Sequence, residues 1–140
     1  AHGRGGDPWS DSARGSITDP ETDQDREFPN QKPEILAPGV LLWSCISADR
    51  EPPYAYSTGT SDSTVLVAGA LSLILSLHGD SISGDDQFFD EQEMQLVKIA
   101  LANSARPAPN QDSKHNTKTG YGLLDASEWS AQVALEFGIA

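Results

Sequence analysis

Gly59-Thr60-Ser61-Asp62-Ser63-Thr64-Val65-Leu66-Val67-Ala68-Gly69-Ala70, running on apolar to Leu77, is the stretch on which the reading of this chain turns. From Val65 to Leu77 only Gly69, Ser72 and Ser76 interrupt the aliphatic run, which predicts a helix that is apolar nearly all round and therefore surrounded by protein. At about 13 residues this run is short of the roughly 20 needed to cross a bilayer. Gly69, Ser72 and Ser76 fall at helical spacing on one face, where small side chains let a neighbouring element approach. His78 and Gly79 then close the segment, a potential cation at the carbonyl end followed by a residue that tolerates positive φ. His78 is on this reading a helix-end residue and not a catalytic one.

The serine at the head of this helix occupies a chemically useful position. Ser61 follows Gly-Thr where an extended segment turns into a buried helix, and a helix N-terminus offers unpaired backbone N–H groups and a partial positive charge. An oxyanion forming beside Ser61 would meet donors already oriented, and Gly59 lets the chain turn tightly just before it. Taken alone, the same residues are also ordinary helix N-caps, so both readings stand at this point.

Working outward, Pro33 to Gly39 and then Val40 to Ile46 read as short apolar extended segments separated by the Pro38-Gly39 turn. A second extended piece lies around Tyr54 to Tyr56. Downstream, Asp90 with Glu93 and Asp125 with Glu128 are each an aspartate followed three residues later by a glutamate, the signature of a helix start. The first introduces a helix over Met94 to Ala105. The second introduces one whose apolar stripe is Trp129, Val133 and Phe137, and between them Arg106 to Thr119 is a polar loop containing His115. Strands followed by a buried helix and two peripheral helices give an α/β class with helices packed on a sheet.

Several of these landmarks resemble the subtilisin-like serine proteases, the subtilase family. Lys32-Pro33-Glu34-Ile35-Leu36-Ala37-Pro38-Gly39 is similar to the family's Lys-Pro-Asp-Ile-x-Ala-Pro-Gly, and Gly59-Thr60-Ser61 with Val67-Ala68-Gly69 is similar to its nucleophile motif with the spacing kept. Trp9-Ser10-Asp11-Ser12-Ala13-Arg14-Gly15 looks like a stretched form of its Phe-Ser-Ser-Arg-Gly. Leu96 to Ala105 resembles its penultimate helix, and Gly120-Tyr121-Gly122-Leu123-Leu124-Asp125-Ala126 its Gly-x-Gly-x-x-(Asn/Asp)-Ala. The landmarks come in the family's order from about Trp9 onward.

The resemblance implies a subtilisin-like parallel sheet with packed helices, of which this chain supplies the C-terminal strands, the nucleophile helix and two peripheral helices. It implies that Ser61 is the nucleophile of a Ser-His-Asp triad acting through an acyl-enzyme, with its backbone N–H as one oxyanion donor and Gly59 and Thr60 as supporting motif. The family's order is Asp, His, Ser, so the Asp and His are expected upstream of Ala1. His2-Gly3 superficially resembles the family's His-Gly-Thr, but Arg4 replaces the Thr; none of Asn30, Asn103, Asn110 and Asn116 sits in the oxyanion-asparagine motif. Asp62, Val65 and Leu66 stand where the family has Met, Pro and His. An acid beside the nucleophile raises the pKa of a neighbouring imidazolium.

Composition bounds the rest. The 140 residues carry a net charge of −12, with 21 Asp and Glu against 9 Lys and Arg, which argues against nucleic acid or an anionic membrane as partner. One cysteine, Cys45, excludes an internal disulfide and a four-cysteine zinc site. The acidic run Asp19, Glu21, Asp23, Asp25 and Glu27 reads as a hydrated loop. Begun at Asp19, a calcium-loop template meets Gln24 where Gly is needed; begun at Asp80, it meets Gly84 one place early. No metal ligand set is identified, and calcium enters through the family resemblance alone. The chain starts Ala1-His2-Gly3 with no initiator Met and no visible signal peptide, and reads as the interior of a longer polypeptide.

The expected organisation is a C-terminal part of a catalytic domain: loop-rich with an acidic insertion over 1–32, strands over 33–60, a buried helix over 61–79, and an acidic loop with peripheral helices over 80–140. Its expected partners are a polypeptide substrate and the upstream part of the same domain, with no nucleic acid and no membrane. The resemblance favours a secreted or extracellular protein, and the acidity suits salt adaptation or solubility. Two alternatives are a subtilase-like binding or structural module that has lost its triad, and an acidic interaction domain with a chance Gly-Thr-Ser.

Overall fold

The computed structural model describes residues 1–83 and 89–139. Two short strands, β1 (Leu42–Cys45) and β2 (Tyr54–Ser57), are followed by three helices, α1 (Thr60–Ile82), α2 (Glu91–Ser104) and α3 (Ala126–Glu136). The order is the expected one. The pairing of β1 with β2 is antiparallel, with Trp43 opposite Tyr56 and Cys45 opposite Tyr54. Among the described residues, parallel pairing occurs only as isolated bridges: His2 to Pro38 and Leu36 to Leu123. The sheet among the described residues is therefore a two-stranded hairpin.

Those bridges bring the sequence landmarks together. Leu36 donates its N–H to Gly122 O at 2.8 Å, Leu124 returns one to Leu36 O at 2.8 Å, and Tyr121 donates to Glu34 O at 2.9 Å. The Pro33 to Ala37 and Tyr121 to Leu124 segments thus run side by side. Arg106 closes the other flank of Leu123 with an antiparallel pair of bonds, 3.0 and 2.7 Å. Gly120 turns the chain into this ladder at φ +62°, and an added Cβ there would lie 2.5 Å from the carbonyl oxygens of Pro33 and Glu34.

Helices α2 and α3 start where the Asp-x-x-Glu signals place them. Asp90 accepts from the Glu93 N–H at 2.7 Å while the Glu93 carboxylate accepts from the Asp90 N–H at 2.8 Å, a complete capping box. Asp125 accepts from the Glu128 N–H at 3.1 Å. Their apolar faces meet in the core, where Val97, Ala100, Leu101, Trp129 and Val133 are buried against Ala70, Ile74 and Ile82 of α1. Trp129 is 2% exposed and its indole N–H donates to Val97 O at 3.1 Å, which satisfies the one polar atom it takes inside.

Helix α1 departs from expectation in three ways. It has 23 residues and continues past His78 and Gly79 to Ile82, so His78 lies within it, with Nε2 3.0 Å from Ser130 Oγ on α3. At this length the apolar segment is not too short for a bilayer: α1 is the one helix among the described residues long and apolar enough to cross. The expectation of a helix closed in on all sides also differs from what is seen, because α2 and α3 cover a single stripe. Most of its apolar length is not buried, and Val65, Leu73 and Leu77 are each about 70% exposed. Gly69 has nothing within 4 Å of its missing side chain.

The acidic run of 19–27 is a turn with internal order. Thr18 bridges to Asp25, and Asp19 pairs with Arg26 at 3.2 Å. The Glu21 N–H, aided by the Arg26 guanidinium, holds the Asp19 carboxyl below its usual range. The calcium-loop test begun at Asp80 falls partly on residues 84–88, outside the described residues.

Candidate active site

The start of α1 is built by bonds between the two most distinctive motifs. Gly59 donates its N–H to Gly39 O at 2.8 Å, and Leu41 donates to Thr58 Oγ1 at 2.9 Å. From the first turn of the helix, Ser63 donates its hydroxyl to the carbonyl oxygens of Ala37 and Pro38, at 2.9 and 3.0 Å. The Ala37-Pro38-Gly39 turn thus seats the helix. Gly39 is required there for space: a Cβ would lie 2.2 Å from Ser63 Oγ and 2.6 Å from Gly59 O.

This arrangement separates the two serines of the motif. Ser63 is buried and its hydroxyl is committed to the turn, whereas Ser61 is exposed. The backbone at Gly59 is extended, φ 172° and ψ 165°, and supplies no side-chain cap. Among the described residues no side-chain oxygen accepts from the first N–H groups of α1, in contrast to the filled N-termini of α2 and α3. A hydroxyl therefore stands beside open backbone donors at the positive end of a 23-residue helix. The predicted residues Gly59, Thr60 and Ser61 are together at this point. Asp62 leans back toward Gly59, an added Cβ there meeting its Oδ2 at 3.3 Å.

The histidines are each engaged elsewhere. His78 meets Ser130. The His115 ring lies edge-on to Tyr121 with Nε2 3.0 Å from Pro33 O, and His2 Nδ1 is 2.6 Å from Gly3 O. Of the asparagines, Asn116 accepts from Lys118 N and Thr119 N at 2.9 Å each, fixing the loop before Gly120. Tyr121 contacts the Phe28 ring and donates its hydroxyl to Gln31, and burial pushes its phenol pKa up. These contacts hold the loop 106–119 against the Pro33 segment. Among the described residues no three His, Cys, Asp or Glu side chains are grouped to hold a metal.

Two contributors were not singled out from the sequence. For Ser63 the available sequence signal is a second serine two residues into a helix, with an Ala-Pro-Gly turn upstream. Thr58 is the other, its hydroxyl joining β2 to the start of β1.

The chain matches the model of the subtilase family over residues 13–122. It is 32% identical over 108 residues to the C5a peptidases of Streptococcus pyogenes, serotypes M1 and M3 among them, with 73% of this chain in the match. Those matches take in 8% of the relatives' length. A solved structure, that of the prenylagaramide maturation protease PagA, superposes with a TM-score of 0.52 at 27% identity, over 71% of this chain and 32% of that one.

Proposed function

The chain belongs to the subtilase family, and from that premise we propose that it forms the C-terminal part of a subtilisin-type serine endopeptidase in which Ser61 is the nucleophile. The exposed Ser61 hydroxyl beside uncapped N–H groups, with Ser63 tied down, is the observation that carries this reading. Ser61 Oγ attacks the scissile carbonyl and gives its proton to a histidine. The oxyanion accepts from the Ser61 N–H. The histidine then protonates the leaving amine as the C–N bond breaks, and water hydrolyses the acyl-enzyme. The histidine and its aspartate come from sequence upstream of Ala1, as do the strands that complete a parallel sheet on the bridges at Leu36 and His2. The same upstream part would cover the open face of α1, which accounts for its apolar surface without a bilayer. The substrate is a polypeptide and the site of action extracellular.

The departure at Asp62 favours a second reading, a subtilase-like module without activity. An organophosphonate probe separates them: full-length protein is expected to be labelled on Ser61, with labelling lost in Ser61→Ala. Well-folded protein that resists the probe would establish the inactive module. The 140 residues alone are expected to show no proteolysis, and Ser61-dependent turnover by them would place the triad wrongly.

A further inference from the structure

The hairpin that leads into Ser61 carries an aromatic face left open by the described chain. Only 7% of the residues are aromatic, yet three of them lie within the eight strand residues of β1 and β2. Trp43 sits opposite Tyr56 and diagonal to Tyr54, so all three project from one face. The Trp43 and Tyr56 rings meet edge-on at 4.8 Å and Trp43 stacks with Tyr54 at 6.0 Å. Trp43 is 58% exposed and Tyr56 65%. Single surface aromatics are common, whereas three packed together on one open face make a contiguous exposed apolar patch, the kind of surface that marks interaction sites.

The charge around this face is predominantly negative. Asp49 and Glu51 at the hairpin tip and Asp62 beside Ser61 outnumber Arg50, in a chain of net charge −12. Ser47 donates to the Asp49 carboxylate and holds its pKa below the usual range, so the tip is anionic at neutral pH. Aromatic faces attract cations, and the chain uses that chemistry internally, where Lys114 Nζ lies 4.5 Å over the Phe28 ring. Among the described residues no cation sits over Trp43, Tyr54 or Tyr56. Tyr56 is five residues before Ser61, a span of at most about 17 Å for extended chain. A substrate leaving the scissile bond in extended form reaches the face within about five residues.

We propose that Trp43 and Tyr56 form a substrate-docking strip that receives a Lys or Arg side chain of the polypeptide, within about five residues of the scissile bond. The inference rests on the reading of Ser61 as nucleophile for the strip's role in cleavage, but its binding chemistry is measured separately. Full-length Ser61→Ala protein is titrated calorimetrically, at low salt, with a Gly-Ser decapeptide carrying one central lysine and with its twin carrying norleucine. The lysine peptide is expected to bind about two- to fivefold more tightly, the range for an exposed cation on an aromatic face. Trp43→Leu with Tyr56→Leu, which keeps apolar bulk and removes the rings, is expected to abolish that preference. Equal affinity for the two peptides would overturn the proposal, and the unaltered protein suffices to show it. A preference that survives both substitutions would overturn it too. Absence of phosphonate labelling in the wild-type protein sinks the nucleophile reading instead, whatever the peptides show.

Discussion

Helices α2 and α3 fill their own N-termini and bury their own apolar faces; α1 does neither. Asp90 and Asp125 accept from N–H groups of their first turns, while Gly59 leaves those of α1 open. Trp129 and Val133 are 2% and 0% exposed, whereas Leu73 and Leu77, on the most hydrophobic helix of the chain, are 69% and 72% exposed. Helices α2 and α3 follow rules of local stability. Helix α1 disregards them at its start and along its length, and the first departure coincides with the proposed nucleophile, Ser61. Stability is local in α2 and α3, and in α1 it is deferred to neighbours.

The sharpest way to break this contrast is to truncate one side chain on each side of it. Trp129→Ala is expected to cost about 3–5 kcal/mol, the range for emptying a fully buried aromatic site, and the loss of its bond to Val97 O adds to the cavity. Leu73→Ala in the same 140 residues is expected within about 0.5 kcal/mol of zero, as for an ordinary surface position. In full-length protein, where the proposed upstream strands cover α1, Leu73→Ala is expected to rise to about 2–5 kcal/mol. Denaturant melts of both lengths check this. A Leu73 effect that stays near zero in the longer protein would mean that the face is left open there too.

Gly39→Ala comes next and strikes the seat of α1. Its Cβ would be 2.2 Å from Ser63 Oγ, and backbone stands behind it at Gly59 O, so the helix start has to move. Overpacking of this kind costs about 1–3 kcal/mol. Because the displaced atoms carry Ser61, phosphonate labelling is expected to slow more than stability falls. Labelling at the wild-type rate would show that the turn does not position Ser61, the proposed nucleophile.

The uneven legibility of the sequence follows the same division. The starts of α2 and α3 were readable to within a few residues because Asp-x-x-Glu is a local device that states its own geometry. Trp129 and Val133 were readable because a four-residue spacing fixes a face. The end of α1 was not, since His78-Gly79 resembles a helix stop only when nothing else holds the helix; packing of Ile74 and Ile82 against α2 and α3 carries it one more turn. Nor could periodicity say that α1 would be open in this chain, because an all-apolar helix records only that something covers it. The antiparallel hairpin between β1 and β2 was legible as two extended pieces, but strand direction depends on what pairs with them, which short apolar runs do not encode. The assignment of Ser61 as nucleophile is a proposal that comes from motif order, with local signals alone leaving it an ordinary cap.

A smaller effect is expected at Asp90→Ala. It removes the acceptor for the Glu93 N–H and unmakes the reciprocal box, for about 1 kcal/mol of stability and no change in labelling, since α2 lies outside the site. Thermal melts alongside probe kinetics test both halves of that statement. A change in labelling rate would show that α2 communicates with the start of α1.

The smallest change in stability comes from giving α1 the cap it lacks. Gly59 is extended at φ 172°, a conformation open to any residue, and an added Cβ meets only the mobile end of Asp62, at 3.3 Å. Gly59→Asn therefore fits, and its side-chain oxygen can accept from the Ser61 or Asp62 N–H, raising stability by a few tenths of a kcal/mol. The same bond occupies or blocks the donors that an oxyanion would use. Loss of one such donor costs roughly 10²-fold in rate, so phosphonate labelling is expected to fall by about that factor in a protein slightly more stable than its parent. Opposite signs in the two measurements are what a vacant N-terminus kept for chemistry requires. A cap that stabilises α1 and leaves labelling unchanged would mean that the open donors at Ser61 serve no reaction.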